Sequence, residues 1–297
     1  MTFASPTETA TWLTHMAETF MKGPENDIHL PGTNEPAFDI PLVAFAAGDD
    51  PIWNDYKEHV GAYHWTPLEA FSLAYPDQKA AAADLVVMSW VLPQTDLTRR
   101  DNRKQKDRPA ERWARSRIFG EELVNEGLRK YMVTALREKG IPAVAPQLMS
   151  EWREVACEKR VFASSWSERH AAHAAGLGTF GLCDGLITPV GKAMRTGSVV
   201  MRLAVPVSAR SYTHHREYCL FYNSGTCGVC IRRCPAGALS TKGHDKIKCR
   251  EYIRGVTAPF VETTWHFKGY GCGFCQVGVP CEKSIPSRPK ARTTGTG

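Results

Sequence analysis

The 297-residue chain reads as two parts: an α/β layer over residues 1–210 and a small cysteine-rich module over 211–297. Three observations predict this. Short, continuously apolar runs alternate with amphipathic stretches through the first two thirds, as in a sheet covered on both faces. Eight of the ten cysteines crowd the last third. After about residue 210 the helical and strand periodicity gives way to Cys, Gly, Pro and Arg, which marks a boundary.

The elements follow in order. Ser5-Pro6-Thr7-Glu8 carries an N-cap, a proline at the first helical position and a capping-box acid. The helix behind it places Trp12, Leu13, Met16 and Phe20 at helical spacing and stops at Gly23-Pro24. Leu42 to Ala46 and Leu85 to Leu92 read as buried strands, closed by Gly48-Asp-Asp-Pro and by Pro93. Arg115 to Lys139 predicts one long helix ending at Gly140, with a short strand near Ala143. Trp166 to Ala175 reads as helix and Gly197 to Val205 as a further buried strand. The tail Ser287–Gly297 is expected to fray.

A composition 43% hydrophobic and 23% charged is that of a folded chain. No run of 18 apolar residues offers a transmembrane helix, so no membrane association is expected. The start, Met1-Thr-Phe-Ala-Ser-Pro-Thr-Glu, lacks a basic n-region and a twin arginine, which predicts a cytoplasmic protein. In a reducing compartment ten cysteines suit metal ligation or redox chemistry better than disulfides.

Cys227-Gly-Val-Cys230-Ile-Arg-Arg-Cys234-Pro235 is the C-x2-C-x3-C-P end of a bacterial ferredoxin run, whose last Cys serves the other cluster. Cys272-Gly-Phe-Cys275 supplies a second pair, and Cys281 follows it. Eight thiolates are the number two [4Fe-4S] clusters need. One cluster is assigned to Cys219, Cys227, Cys230 and Cys281, the other to Cys234, Cys249, Cys272 and Cys275. Cys219 lies further upstream than the ferredoxin spacing requires, and Cys183 is the alternative to it. Zinc–thiolate sites are the competing use of paired C-x2-C motifs; Cys-Pro and the count of eight favour iron.

Two further matches lack context. Gly176-Leu-Gly178-Thr-Phe-Gly181 fits G-x-G-x-x-G but follows a helix-like segment, whereas a dinucleotide fingerprint follows a strand. Its glycines leave open a turn packed against a flat ligand. Asp27-Ile-His29-Leu-Pro-Gly32 fits a cobalt-ligating D-x-H-x-x-G without that fold's other motifs. His170, His173, His214 and His215 read as surface or hydrogen-bonded core histidines. The net charge of +6 is concentrated in Arg99–Arg117, with nine Lys or Arg against three acids. That strip suits an acidic electron-donor protein, a nucleic-acid backbone or simply a solvated loop.

Trp166-Ser-Glu-Arg-His-Ala-Ala-His-Ala-Ala-Gly-Leu-Gly-Thr-Phe-Gly-Leu182, then Gly185-Leu-Ile-Thr-Pro and Arg195-Thr-Gly-Ser-Val-Val200, resembles the core of the corrinoid reductive dehalogenases and of the related epoxyqueuosine reductases. Tyr218-Cys-Leu, the Cys227–Pro235 run and Gly243-His-Asp-Lys-Ile-Lys-Cys249 resemble the two-cluster module that follows in those families. The likeness covers roughly residues 115–285 and rests on the order of the motifs.

The resemblance implies a nitroreductase-like α/β domain that binds base-off cobalamin beside a ferredoxin-like domain with two [4Fe-4S] clusters. Electrons would pass through the clusters to reach Co(I). It places Gly176, Leu177, Gly178, Thr179, Phe180, Gly181, Ile187 and Thr188 against the cofactor. In the dehalogenases a tyrosine assisted by a cation is held to supply the proton, and the counterparts here are Tyr131 with Lys192 or Arg195. The leading expectation is reductive dehalogenation of a small, aromatic organohalide, with a separate ferredoxin or flavodoxin as electron donor.

The alternatives are an epoxyqueuosine-reductase-like tRNA enzyme and a non-catalytic two-cluster electron carrier. Against tRNA, the stretch Val161–Trp166 lacks the acid of that family's proton donor, and Glu158 and Glu168 are out of register. The helical-repeat extension used to grip tRNA has no counterpart after Cys281 either. Nucleic acid is therefore not the expected partner. Against the carrier, a ferredoxin needs far fewer residues.

Overall fold

The computed structural model describes residues 5–157 and 161–287; Glu158 and the tail beyond Ser287 lie outside them. Helix α1, Pro6–Lys22, begins where the sequence predicts, with the Ser5 hydroxyl accepting from the Glu8 N–H at 3.2 Å. Strand β1, Leu42–Ala47, is followed by α2, Ile52–His59, and α3, Pro67–Ala74. Strand β2, Val86–Pro93, leads into α4, Asp96–Lys104, and α5, Glu111–Phe119. Helix α6, Glu126–Glu138, then precedes the short β3, Ala143–Val144. A hairpin of β4, Glu154–Cys157, and β5, Val161–Ser164, precedes α7, Glu168–Ala174. The two-residue strands β6, Thr179–Phe180, and β7, Leu186–Ile187, lead to β8, Met194–Met201.

The predicted long helix is two helices. It starts four residues early, at Glu111, and is broken by a π-helical turn over Gly120–Asn125. The wider turn brings Glu121, Asn125 and Arg129 onto the sheet-facing side, where Asn125 accepts from the Trp90 indole at 2.9 Å and donates to the Thr196 carbonyl at 3.0 Å. Such insertions recur at functional sites.

The central sheet has the order β1-β2-β8-β3, and every pairing in it is antiparallel. Its strands are nonetheless apolar on both faces, as predicted. Val87, Val91 and Val200 face a core shared with Trp53, Phe71, Trp166 and Leu186. Val86, Met88, Trp90, Leu92, Val199 and Met201 face another, filled by Leu13 and Met16 of α1 and Leu128, Met132 and Leu136 of α6. Because successive strand residues point to opposite faces, a one-residue slip would exchange the two cores, so the register is tightly fixed.

The cysteine-rich segment adds no strand to that sheet. It holds α8, Leu220–Ser224, and α9, Val229–Arg233. A minimal hairpin follows, β9, Leu239–Ser240, with β10, Gly243–His244. Helices α10, Lys246–Tyr252, and α11, Ala258–Trp265, are joined by a second π-helical turn over Ile253–Thr257. The segment docks on the sheet layer through backbone and charge. The Asn102 amide donates to the Cys272 carbonyl at 3.0 Å, and Arg103 pairs with the buried Glu282.

Candidate functional site

Cys219, Cys227, Cys230 and Cys281 line one cavity, together with Leu182, Ile187, Phe221, Val279 and Lys192. Cys219 caps α8 and Cys230 lies inside α9, while Cys281 arrives from the end of the segment. The grouping is the one expected for the first cluster. Cys183 is buried in the same apolar cluster as Cys219 and Cys230, and its thiol is hydrogen-bonded to that of Cys275.

The other four cysteines gather around Cys272. Its thiol is pushed up to about 12, by burial first and then by Cys249 and Cys234, and Cys275 in turn feels Cys272. Cys234 accepts the Ala238 N–H at 3.3 Å, and His244 bonds both Asp184 and Cys249. Among the described residues no three of His, Cys, Asp or Glu converge tightly enough to hold a single metal ion.

Lys192 lies between the two sets. It is 3% exposed, and its aliphatic stem passes the place where a Cβ on Gly185 would sit, beside the Cys183 thiol. Burial works against its charge, but Cys183, Cys281, Cys275 and Cys230 prevail and hold its pKa well above the ordinary value.

A second cavity, of about 320 Å³, opens on the other side of Lys192. It is lined by the cations Arg117, Arg169, Arg195 and Lys192, the acids Glu121 and Glu168, and the amides Gln147 and Gln276. The Arg195 Nε is buried without a hydrogen-bond partner, and burial together with Arg117 lowers its pKa. An anion or a polar acceptor would relieve both penalties.

The two acids differ. Burial would raise Glu121, yet Arg129, Arg195 and Arg117 keep it below the usual carboxylate range. Burial prevails at Glu168 and lifts it to about 7 against the pull of Arg129 and Ser198. Arg129 Nε donates to Glu168 at 3.2 Å, and the Ser198 hydroxyl donates to its other oxygen at 2.5 Å.

Of the predicted catalytic residues, Lys192 and Arg195 line this cavity and Tyr131 does not. Tyr131 is 37% exposed on α6, its ring 5.3 Å from that of Phe20. The same helix turns Arg129 inward instead, since two residues correspond to about 200° around a helix. The sequence missed Arg117, Arg169, Arg129 and Ser198, and set Glu168 aside on register. The available signal was polar spacing at 121, 125 and 129 on a face that helical periodicity buries.

The glycine turn serves the chain itself. A Cβ on Gly178 would lie 2.2 Å from the Ile187 carbonyl oxygen, so the turn packs closely on the backbone of β7. Thr179 is spent on the Tyr218 N–H and Thr188 on the Gly191 carbonyl. Phe180 packs on His170 and His173, and Leu177 is buried in the core. Of the eight residues the resemblance set against the cofactor, none lines the larger cavity; Ile187 lines the cysteine cavity.

The basic strip is largely consumed internally. Arg99 pairs with Asp96, Arg103 with Glu282, Arg112 with Glu35 and Asp101, and Arg115 with Glu111. Arg117 donates to the Tyr270 hydroxyl at 2.7 Å and reaches the cavity. No helix among the described residues is long and apolar enough to cross a membrane.

No protein-family model matches the chain, and no curated relative matches it. Solved structures do. Epoxyqueuosine reductase from Bacillus subtilis is 15% identical, with 95% of this chain and 68% of that one covered and a TM-score of 0.47. A reductive dehalogenase whose structure suggests a mechanism for B12-dependent dehalogenation is 15% identical at a TM-score of 0.51; 96% of this chain is covered, but only 33% of that protein. A catabolic reductive dehalogenase in complex with 3-bromo-4-hydroxybenzoic acid is 14% identical at a TM-score of 0.46, with 92% and 36% covered. The chain thus shares the fold of the 33% of a reductive dehalogenase structure that it covers, and its structural neighbours are the epoxyqueuosine reductases and corrinoid reductive dehalogenases that its motif order resembles.

Proposed function

We propose that the protein is a cobalamin- and [4Fe-4S]-dependent reductase that removes halide from a small, aromatic organohalide. One observation carries the reading: Lys192 lines both cavities, so the cavity of Cys219, Cys227, Cys230 and Cys281 adjoins a polar, arginine-lined one. Cys219, Cys227, Cys230 and Cys281 would hold one cluster, and Cys234, Cys249, Cys272 and Cys275 the other. The first donor set fits, because Cys219, Cys227, Cys230 and Cys281 line one cavity together.

The larger cavity suits a corrinoid in its polar chemistry. Arg195 with its unpartnered Nε, Arg117, Gln147 and Gln276 would hold the macrocycle's amide side chains. When bound, that cofactor supplies the low-potential cobalt chemistry that cleaves a carbon–halogen bond, a task the protein's own side chains cannot perform. The chain's residues bind and orient. Arg169 favours an anionic substrate, and Lys192 sets a fixed positive charge between the cysteine sets. The internal pairing of the Arg99–Arg117 strip supports a small substrate over a nucleic-acid backbone. A separate ferredoxin or flavodoxin would deliver the electrons.

The test is anaerobic expression with cobalamin supplied, followed by metal analysis, cobalt EPR and turnover assays. About eight iron and one cobalt per chain, with a base-off Co(II) signal and halide release from haloaromatics, is the expected result. Zinc in place of iron ends the reading. Turnover of an epoxyqueuosine-containing stem loop with no halide release would transfer it to the tRNA class.

A further inference from the structure

We propose that Glu168 is the proton donor of this cavity, passing its carboxyl proton to the substrate carbon as the halide leaves. The inference rests on the reductase reading. Its basis is placement: two acids line the cavity, and Tyr131, the donor expected from the resemblance, is outside it on the surface of α6.

The network around Glu168 has a defined polarity. The Trp166 indole N–H can only donate, and it donates to Ser198 Oγ at 3.0 Å. Ser198 Oγ lies 2.5 Å from Glu168 Oε2 and donates its proton to it when that carboxyl is ionised. Arg129 Nε, also only a donor, holds Oε1 at 3.2 Å. Both oxygens are thus fixed by donors that stabilise the carboxylate left after proton transfer, while burial at 8% exposure favours the protonated acid before it.

These opposing effects place the group at about 7 while Glu121, in the same cavity, stays ionised. A pair of carboxylates driven apart in this way is a recognised division of acid and base roles. The charged groups around Glu168 are Arg129 on α6, Glu121 on the π-helical turn, Arg117 on α5, Arg169 on its own helix, and Arg195 and Lys192 at the start of β8 and just before it.

The step balances as R–X + H⁺ + 2 e⁻ → R–H + X⁻. The carbon–halogen bond breaks and a carbon–hydrogen bond forms. Glu168 supplies the proton, and a one-electron donor of the ferredoxin or flavodoxin class supplies both electrons. Solvent reaching the cavity returns the proton to Glu168.

The experiment pairs infrared titration of the full chain, without added cofactor, with the pH profile of the loaded enzyme. A carboxyl band titrating near neutrality and missing in Glu168→Gln is expected, with kcat lowered about 100-fold or more and cofactor content retained. Activity should fall as pH rises through that value, because the acid must be protonated. Ser198→Ala removes a bond that stabilises the carboxylate, so band and profile should both move to higher pH. It also carries the test if Glu168→Gln does not fold. No band near neutrality, full activity in Glu168→Gln, or an unmoved profile in Ser198→Ala overturns the proposal. Failure of wild-type protein to release halide would instead sink the dehalogenase reading, and the infrared titration would still judge Glu168.

Discussion

The backbone N–H of Lys192 donates to the Cys281 carbonyl at 2.8 Å, tying the entry to β8 to the last cysteine of the chain. Gly191, just before it, has φ +86°, and a Cβ there would lie 2.2 Å from the Glu282 carbonyl oxygen. The two parts read from the sequence therefore meet backbone to backbone, at the residue shared by both cavities.

Gly191→Ala should separate that contact. Strained backbone and a steric clash together cost at least about 2 kcal/mol. The expected outcome is a lower melting temperature with reduced iron retention. An unchanged melt would show that the contact does not hold the parts together.

Glu282 is the second tie. It accepts from Arg103 and from the Gly278 N–H at 2.6 Å while buried at 5% exposure. Glu282→Gln weakens charge-assisted bonds and should cost about 2 kcal/mol. Chemical denaturation of the variant and of wild type measures the difference.

Lys192→Gln removes a cation from between the thiolate sets. Midpoint potentials of the clusters should fall, on the order of tens of millivolts, because each cluster's negative charge loses a neutralising neighbour. EPR-monitored redox titration reads this directly, and potentials that stay put would remove the electrostatic role of Lys192.

Tyr131→Phe should leave turnover unchanged and alter stability by less than about 0.5 kcal/mol, as at an ordinary surface position. A large loss of kcat would return Tyr131 to the mechanism and count against Glu168.

Stability should rise with pH between about 4 and 6.5. Burial lowers both His64 and His173 to about 4, so over that window these two histidines make the unfolded chain bind more protons than the folded one, an effect that Glu168, lifted to about 7, offsets in part. Each histidine withdraws on the order of 3 kcal/mol as pH falls through the window, and the loss is complete near pH 4. Denaturation midpoints across the range should show this slope, and a core-filling His64→Phe should flatten it.

Much of this protein is legible in its sequence because the signals are local. The N-cap at Ser5, the apolar runs Leu42 to Ala46 and Leu85 to Leu92, and the C-x2-C pairs each depend on neighbouring residues. The ferredoxin spacing and the count of eight thiols group Cys219 with Cys227, Cys230 and Cys281, and those four line one cavity.

Tertiary structure decided the rest. Antiparallel pairing of β2 with β8 joins segments about a hundred residues apart, which no local pattern encodes. The inserted turn at Gly120–Asn125 shifts the helical phase, turning Arg129 inward and leaving Tyr131 in solvent. The close approach of the glycine turn to β7 at Ile187 is likewise set by the fold. The strip Arg99–Arg117 meets Glu35 and Glu282, acids remote in sequence that no local pattern places beside it. Glu168 gains its character only in the fold: its charge state is set by burial, by Arg129 from another helix and by Ser198 from a strand. Sequence fixes which groups are present and their nearest neighbours, whereas desolvation and long-range charge depend on what packs around them.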